Sequence, residues 1–263
     1  MTHTPDRQAK QVVRTQIWDA LDAAGAVHDT TSHGRIPNFH GREAAADRLA
    51  ILPAWQRSRI IKSVPDKAQY PVRVRALTEH KTVYMAVPKL AAERPFYLLD
   101  PVALSVPPAE AAYSRTAAMH APTVEVDALA PIDVIVLGSV AVNPTGVRIG
   151  KGAGYSDIEF ALLAEAGLIT PDTLIVTTVH SLQVTETPIP HGAHDVNVDL
   201  IVTPDEIIIC THPHRPSGIL WDRLPAAKVE AIPSLRARAS GGLCAKGGVT
   251  PRESGRRSPR HTP

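Results

Sequence analysis

Along residues 8–24, apolar Val13, Ile17, Ala20, Leu21 and Ala24 recur at three- and four-residue steps, and Gly25 interrupts the pattern. An amphipathic helix closed by glycine is predicted. A second helix is expected over residues 42–51, stopped by Pro53, with residues 55–61 continuing it beyond the break. The period then changes. Val72, Val74 and Ala76 alternate with Arg73, Arg75 and Leu77, and residues 82–87 form a short apolar run, so two strands joined by a turn at 79–81 are predicted. Residues 88–131 hold seven prolines and little periodicity, which suggests a surface excursion carrying short helices.

The second half is more regular. Residues 132–137, 173–179, 198–202 and 207–210 are apolar, β-branched runs bounded by Gly, Pro or Asp, the pattern of strands buried on both faces. Between the first two lies a helix with Ser156 as its expected N-cap, Glu159 completing a capping box, and Gly167 at its end. Strand, helix, strand in this order predicts an α/β fold with a mostly parallel sheet flanked by helices.

Composition narrows this picture. With 44% hydrophobic but only 4% aromatic residues, the core must rest on Val, Ile, Leu and Ala, which suits a sheet covered by helices. A chain of 263 residues fits one large domain, placed at 1–239, with a tail from 240 onward. That tail has five Gly, three Pro and three Ser in 24 residues and is expected to be disordered. The net charge of +2 is unevenly spread. Residues 236–263 hold seven basic residues against Glu253, leaving 21 basic and 25 acidic residues before them. A mildly acidic body is a poor nucleic-acid platform, so any such contact is expected only through the tail. Cys210 and Cys244 are too few for a disulfide framework and read as reduced thiols. No apolar run approaches the roughly 20 residues that span a membrane, and the polar start MTHTPDRQAK does not read as a secretory signal; a cytoplasmic location is expected.

Residues 138–157, GSVAVNPTGVRIGKGAGYSD, join a buried strand to the expected helix and contain Gly146, Gly150, Gly152 and Gly154. Such a loop lets backbone N–H groups approach an anion, the helix adds its positive end, and Arg148 and Lys151 add full charges. A phosphate is the natural guest at the carboxyl end of a strand. The other reading is a turn that only shapes the corner. The spacing is not that of a Walker A loop, since three residues separate Gly146 from Gly150 and Gly152 follows Lys151; nor is it the dinucleotide GxGxxG.

These residues carry a resemblance. Gly146, Arg148, Gly150, Gly152, Gly154, Tyr155 and Asp157 fill the G-x-R-[LI]-G-x-G-x-G-Y-x-D signature of the 5-formyltetrahydrofolate cyclo-ligase (methenyltetrahydrofolate synthetase) family. The similarity continues through VTTVHSLQV and HDVNVDLIVTPDEII and reaches Lys10 and Arg14, which match that family's Lys-x-x-x-Arg, so it covers roughly residues 8–235. It implies a NagB/RpiA/CoA-transferase type of fold and an ATP- and Mg2+-dependent reaction on a small-molecule folate, 5-formyltetrahydrofolate. It assigns the ATP phosphates to Lys10, Arg14, Gly146, Arg148, Gly150, Lys151, Gly152, Ala153 and Gly154, and Mg2+ to Asp157. Arg148, Lys151 and Tyr155 become the residues expected to carry the chemistry. Lys10 and Arg14 are four apart and share a helix face, which agrees with a common polyphosphate partner. Asp157 is a hard oxygen donor suited to Mg2+, or else a first-turn carboxylate that stabilises its helix. Tyr155 would contact the folate or pack under the loop.

Two positions depart from the family pattern: Ala153 stands where many members have a basic residue, and Ser156 where many have a second Tyr. The wording RIGKGAGYSD is closer to a divergent branch that includes the methenyltetrahydrofolate synthase domain-containing proteins, which leaves a pterin- or thiamine-related ligand, or a non-catalytic binding module, as alternatives. The histidines His180, His191, His194, His212 and His214, with Asp195 and Asp199 nearby, fit no standard zinc spacing and are expected to be structural or at the surface. His180 and the His194–Asp195 pair are expected to border the cleft, while Trp18, Trp55 and Trp221 read as packing residues.

Overall fold

The computed structural model describes residues 4–245. Helix α1 (Thr4–Ala23) buries Val13, Arg14, Ile17, Trp18 and Leu21, a stripe spaced for one helical face. Helix α2 (Arg42–Ala50) follows, and α3 (Pro53–Arg57) is shorter than predicted: Ser58 is extended, and residues 60–63 form strand β1 (Ile60–Ser63) instead of continuing the helix. Helix α4 (Tyr70–Thr78) replaces the strand expected from the alternation at 72–77. Its buried residues are Val72, Arg73, Ala76 and Leu77, so each apolar position also recurs four residues on, and Pro71 starts the helix. Arg73 misled the period reading because it is buried, with its guanidinium donating to the carbonyl oxygens of Ala112, Val64 and Asp66.

Strand β2 (Thr82–Ala86) is followed by two strands that the proline-rich stretch concealed, β3 (Phe96–Leu99) and β4 (Thr123–Val124), separated by the short helices α5 (Pro108–Ala111) and α6 (Ser114–His120). The remaining elements are β5 (Val134–Leu137), a two-stranded hairpin of β6 (Ala141–Val142) and β7 (Arg148–Ile149), α7 (Tyr155–Glu165), β8 (Leu174–Thr178), β9 (Leu200–Val202), β10 (Ile207–Ile209), α8 (Ala226–Ala231) and α9 (Pro233–Ala245). The expected boundary at 239/240 falls inside α9, and residues 246–263 of the expected tail lie outside the described residues.

Eight strands form one sheet in the order β10-β9-β8-β5-β1-β2-β3-β4. The five central strands are parallel, and β10, β3 and β4 extend the edges antiparallel. Both faces of the centre are dry: Val134 and Val136 of β5 pack with α1, α2 and α4, while Ile135 and Leu137 pack with α7. Strand β10 was expected to be covered on both faces; as the edge strand it leaves Ile209 77% exposed.

The order of strands places the site. From β1 the chain steps to β2, β3 and β4, then returns to the other side of β1 as β5 and proceeds to β8, β9 and β10. The connections after β1 and β5 therefore leave neighbouring strands toward opposite faces, which opens a crevice at their carboxyl ends. A side chain on Gly138, which ends β5, would lie 3.2 Å from the Asp66 carboxylate of the β1 connection, so the two loops meet closely.

Candidate anion-binding cleft

A cleft of about 580 Å³ opens at this crevice. Its walls come from α1, residues 148–158, residues 191–195, and a C-terminal stretch around 218–228. Among the described residues seven basic side chains line it, Arg7, Lys10, Arg14, Arg148, Lys151, Arg223 and Lys228, against the carboxylates of Asp6, Asp66, Asp157 and Asp195. The balance is positive although the body of the chain is mildly acidic.

The glycines of the loop divide by position. Gly146 has φ +93° at the turn of the β6–β7 hairpin, where a Cβ would collide with the carbonyl oxygen of Val198. It packs against Val198 and Cys210 and is not among the cleft-lining residues. Gly150, Gly152 and Gly154 do line the cleft. Gly152 has φ +98° with the Arg14 guanidinium 3.4 Å from where a Cβ would stand, and Gly154 has φ +72° and forms the N-cap of α7. The expected Ser156 cap is therefore replaced by a left-handed glycine, and α7 begins at Tyr155. No side chain among the described residues caps this end, so its N–H groups face the cleft carrying the helix's positive charge. Glu159, expected in a capping box, instead points inward, buried and paired with Lys62 of β1. Burial pushes its carboxyl up; Lys62 opposes this, and the charges of Asp66 and Asp157 add to it.

Around the loop, Arg14 donates from Nε to the Gly150 carbonyl at 2.7 Å. Burial, then the neighbouring charge of Arg7, lowers its pKa below the ordinary arginine value; Asp195 opposes this, and Arg148 adds to the lowering. Lys10 sits one turn away on α1 with Nζ 2.6 Å from Asp195 Oδ2, and the same oxygen accepts the Gly192 N–H at 2.7 Å. Burial opposes ionisation of Asp195, but the hydrogen bond and charge of Lys10 and the Gly192 amide prevail and hold its carboxyl below the ordinary value.

Arg148 is 4% exposed. Its guanidinium donates to the Gly138 carbonyl at 3.0 Å, to Ser139 Oγ at 3.2 Å and to Asp157 Oδ1 at 3.3 Å. It thus braces the loop from below and aims Asp157. Asp157 Oδ1 also accepts the Val196 N–H at 3.2 Å, while Oδ2 makes no hydrogen bond among the described residues. Lys151, by contrast, is exposed, with Nζ 3.3 Å from Asp66 Oδ1. Tyr155 lies at the cleft wall with the Lys228 ammonium 3.7 Å above its ring centroid, and that ammonium donates to the Ala153 carbonyl at 2.9 Å.

Of the histidines, His191 and His194 line the cleft and His194 Nε2 is 3.5 Å from Asp195 Oδ1. His180 does not: its ring accepts the Leu182 N–H at 3.1 Å and caps a short turn. No cluster of three or more metal-ligating side chains exists among the described residues, and none of their helices is long and apolar enough to cross a membrane. Trp18 and Trp55 are buried, but Trp221 is exposed. Asp66, Arg223 and Lys228 were missed from the sequence. Asp66 went unread because β1, the strand it follows, was taken for the end of a helix, and the two basic residues lie in a segment that reads as irregular.

Comparison with known proteins gives the family. The profile of the 5-formyltetrahydrofolate cyclo-ligase family matches residues 6–204. The chain is 35% identical over 241 residues to the methenyltetrahydrofolate synthase domain-containing protein of Bos taurus, covering 87% of this chain and 61% of that one. It is 34% identical over 239 residues to the Homo sapiens protein of the same description, again covering 87% and 61%. The chain thus spans less than two thirds of the length of these relatives. Among solved structures, it is similar to the Aquifex aeolicus 5,10-methenyltetrahydrofolate synthetase, with 23% identity, a TM-score of 0.49, and coverage of 78% of this chain and 92% of that one. A signature loop set at the switch point of a parallel sheet, together with a family match over most of the chain, places this protein in the 5-formyltetrahydrofolate cyclo-ligase family.

Proposed function

We propose that the protein converts 5-formyltetrahydrofolate to 5,10-methenyltetrahydrofolate in a reaction that consumes ATP and requires Mg2+. The family match supports the reaction class. The observation that carries the reading is the loop at 150–154, open at the N-terminus of α7 and flanked by Arg14 and Lys10 of α1.

The chemistry asks little of side chains beyond placement. The oxygen of an N-formyl group is a poor leaving group from its carbon, so it must be activated before N10 can displace it. Attack of that oxygen on the γ-phosphorus releases ADP and leaves phosphate on the formyl oxygen. N10 then bonds to the formyl carbon, its proton departs, and phosphate leaves as the methenyl ring closes. Arg14, Lys10, Lys151 and the loop amides would hold the phosphates in line and neutralise their charge. Tyr155, at the cleft wall, would border the folate.

The residues fit a magnesium ion that arrives with its nucleotide. Such an ion needs only one or two carboxylates besides phosphates and water, and Asp157 presents Oδ2 while Arg148 and the Val196 amide fix Oδ1. Asp157 would hold the ion, which would screen the phosphate charge. Cleft volume sets no obstacle: about 580 Å³ lies in the range of small-molecule sites.

Calorimetric titration with MgATP, with and without 5-formyltetrahydrofolate, tests this reading. Binding of both ligands is expected. Binding of MgATP without the folate would favour a pterin- or thiamine-related substrate, and binding of neither would leave a non-catalytic module.

A further inference from the structure

The family profile ends at residue 204, yet the wall of the cleft facing the loop is built from residues 218–228. This wall is firmly fastened. Arg215 donates to the Thr173 carbonyl and to Asp199, both at the sheet. Gly218 lies against the side chain of Glu165 at the end of α7. Val229 packs on the α7-side core, and Ile232 and Leu235 are buried in it.

Lys228 stands on this wall, one residue before Val229, and reaches over the loop. Its ammonium uses one N–H at the Ala153 carbonyl and lies on the face of Tyr155, which neutralises no charge. It forms no ion pair among the described residues. On the opposite side of the loop, Arg14 binds the Gly150 carbonyl and borders Gly152.

We propose that Lys228 is a ligand-binding residue of the cleft, with its ammonium donating to a polyphosphate anion seated at residues 150–154, so that the loop is clasped between Arg14 of α1 and Lys228 of α8. The ammonium has three donors, and the Ala153 carbonyl occupies one, so an incoming phosphate oxygen gains a charged hydrogen bond without breaking the existing contact. The ring of Tyr155 sets the height of the ammonium above the loop. Lys151 has no such support, since its only ion partner among the described residues is Asp66 at 3.3 Å and its side chain is 45% exposed. This inference rests on the nucleotide reading above.

Calorimetry of Lys228→Gln, Lys228→Arg and Arg14→Gln beside the unaltered chain tests it, with MgATP, inorganic tripolyphosphate and neutral adenosine as probes. Lys228→Gln is expected to weaken MgATP and tripolyphosphate about tenfold, with adenosine unchanged and Lys228→Arg retaining most of the affinity. Equal losses for adenosine and MgATP would assign Lys228 to the packing of Tyr155 and overturn the proposal. So would unchanged MgATP affinity in Lys228→Gln while Arg14→Gln loses it, with the nucleotide reading left standing. If the unaltered chain binds neither MgATP nor tripolyphosphate, the nucleotide reading and this proposal fall together.

Discussion

The ammonium of Lys10 and the carboxylate of Asp195, 185 residues apart in sequence, meet at 2.6 Å and tie the first helix across the mouth of the cleft to the loop before β9. Both side chains are about nine-tenths buried, so neither is easily replaced by water. Asp195→Asn removes the charge that Lys10 answers and should cost about 3 kcal/mol, the low end for breaking a buried pair from one side. The pH dependence follows from the lowered carboxyl of Asp195. A group whose pKa is depressed on folding contributes stability above its unfolded value, about 3.9, and loses that contribution as pH falls through the lower native value. Thermal melts across acid pH should therefore show a steeper decline for the unaltered chain than for Asp195→Asn. Parallel curves would mean that the pair contributes nothing.

Lys62 and Glu159 form a second pair, at 1% and 6% side-chain exposure, between β1 and the first turns of α7. Removing one partner strands a buried charge, so Lys62→Met should destabilise by about 3–5 kcal/mol. Replacing both, as Lys62→Met with Glu159→Leu, should recover most of that loss, because desolvation offsets much of the attraction in such pairs. Denaturant melts of the two singles and the double would measure the coupling; additive losses would rule it out.

The glycines of the signature should separate in their effects. Gly146→Ala forces a Cβ into the Val198 carbonyl at a left-handed φ and should lower stability by about 3 kcal/mol or more. Gly152→Ala meets only the guanidinium of Arg14 at ordinary contact distance, so backbone strain of about 1–2 kcal/mol is expected, with a disproportionate loss of anion affinity. Melting curves beside phosphate-analogue titrations would show both. Equal stability losses would contradict the division of roles.

Much of the architecture was legible from period and β-branching. The parallel strands β5, β8 and β9, α1, and the crossover from β5 through α7 to β8 follow from long, one-sided or two-sided apolar patterns, whereas β1 was read as helix and β2 as one arm of a hairpin. Failures have local causes. The helix over Tyr70–Thr78 imitates a strand because a buried Arg73 satisfies its guanidinium on backbone carbonyls, which no hydrophobicity pattern reveals. Strands β3 and β4 are too short, and too framed by proline, to show a period. Ser156 and Glu159 have the spacing of a capping box, yet Gly154 can adopt φ +72° and takes the cap, which frees Glu159 for Lys62. At the cleft, the loop and α1 basic residues could be read as one site because their types and spacing match phosphate chemistry. That Arg148 braces Asp157 from beneath while Lys228 arrives from above depends on tertiary placement alone.

The most direct test of the account is to mix purified protein with 5-formyltetrahydrofolate and MgATP and follow the methenyl chromophore while counting ADP. The account predicts chromophore growth that requires both ATP and Mg2+, one ADP and one phosphate per product, and severe loss of turnover in a folded Asp157→Ala variant. No chromophore at enzyme concentrations matching the substrate, with MgATP saturating, would contradict the proposed reaction.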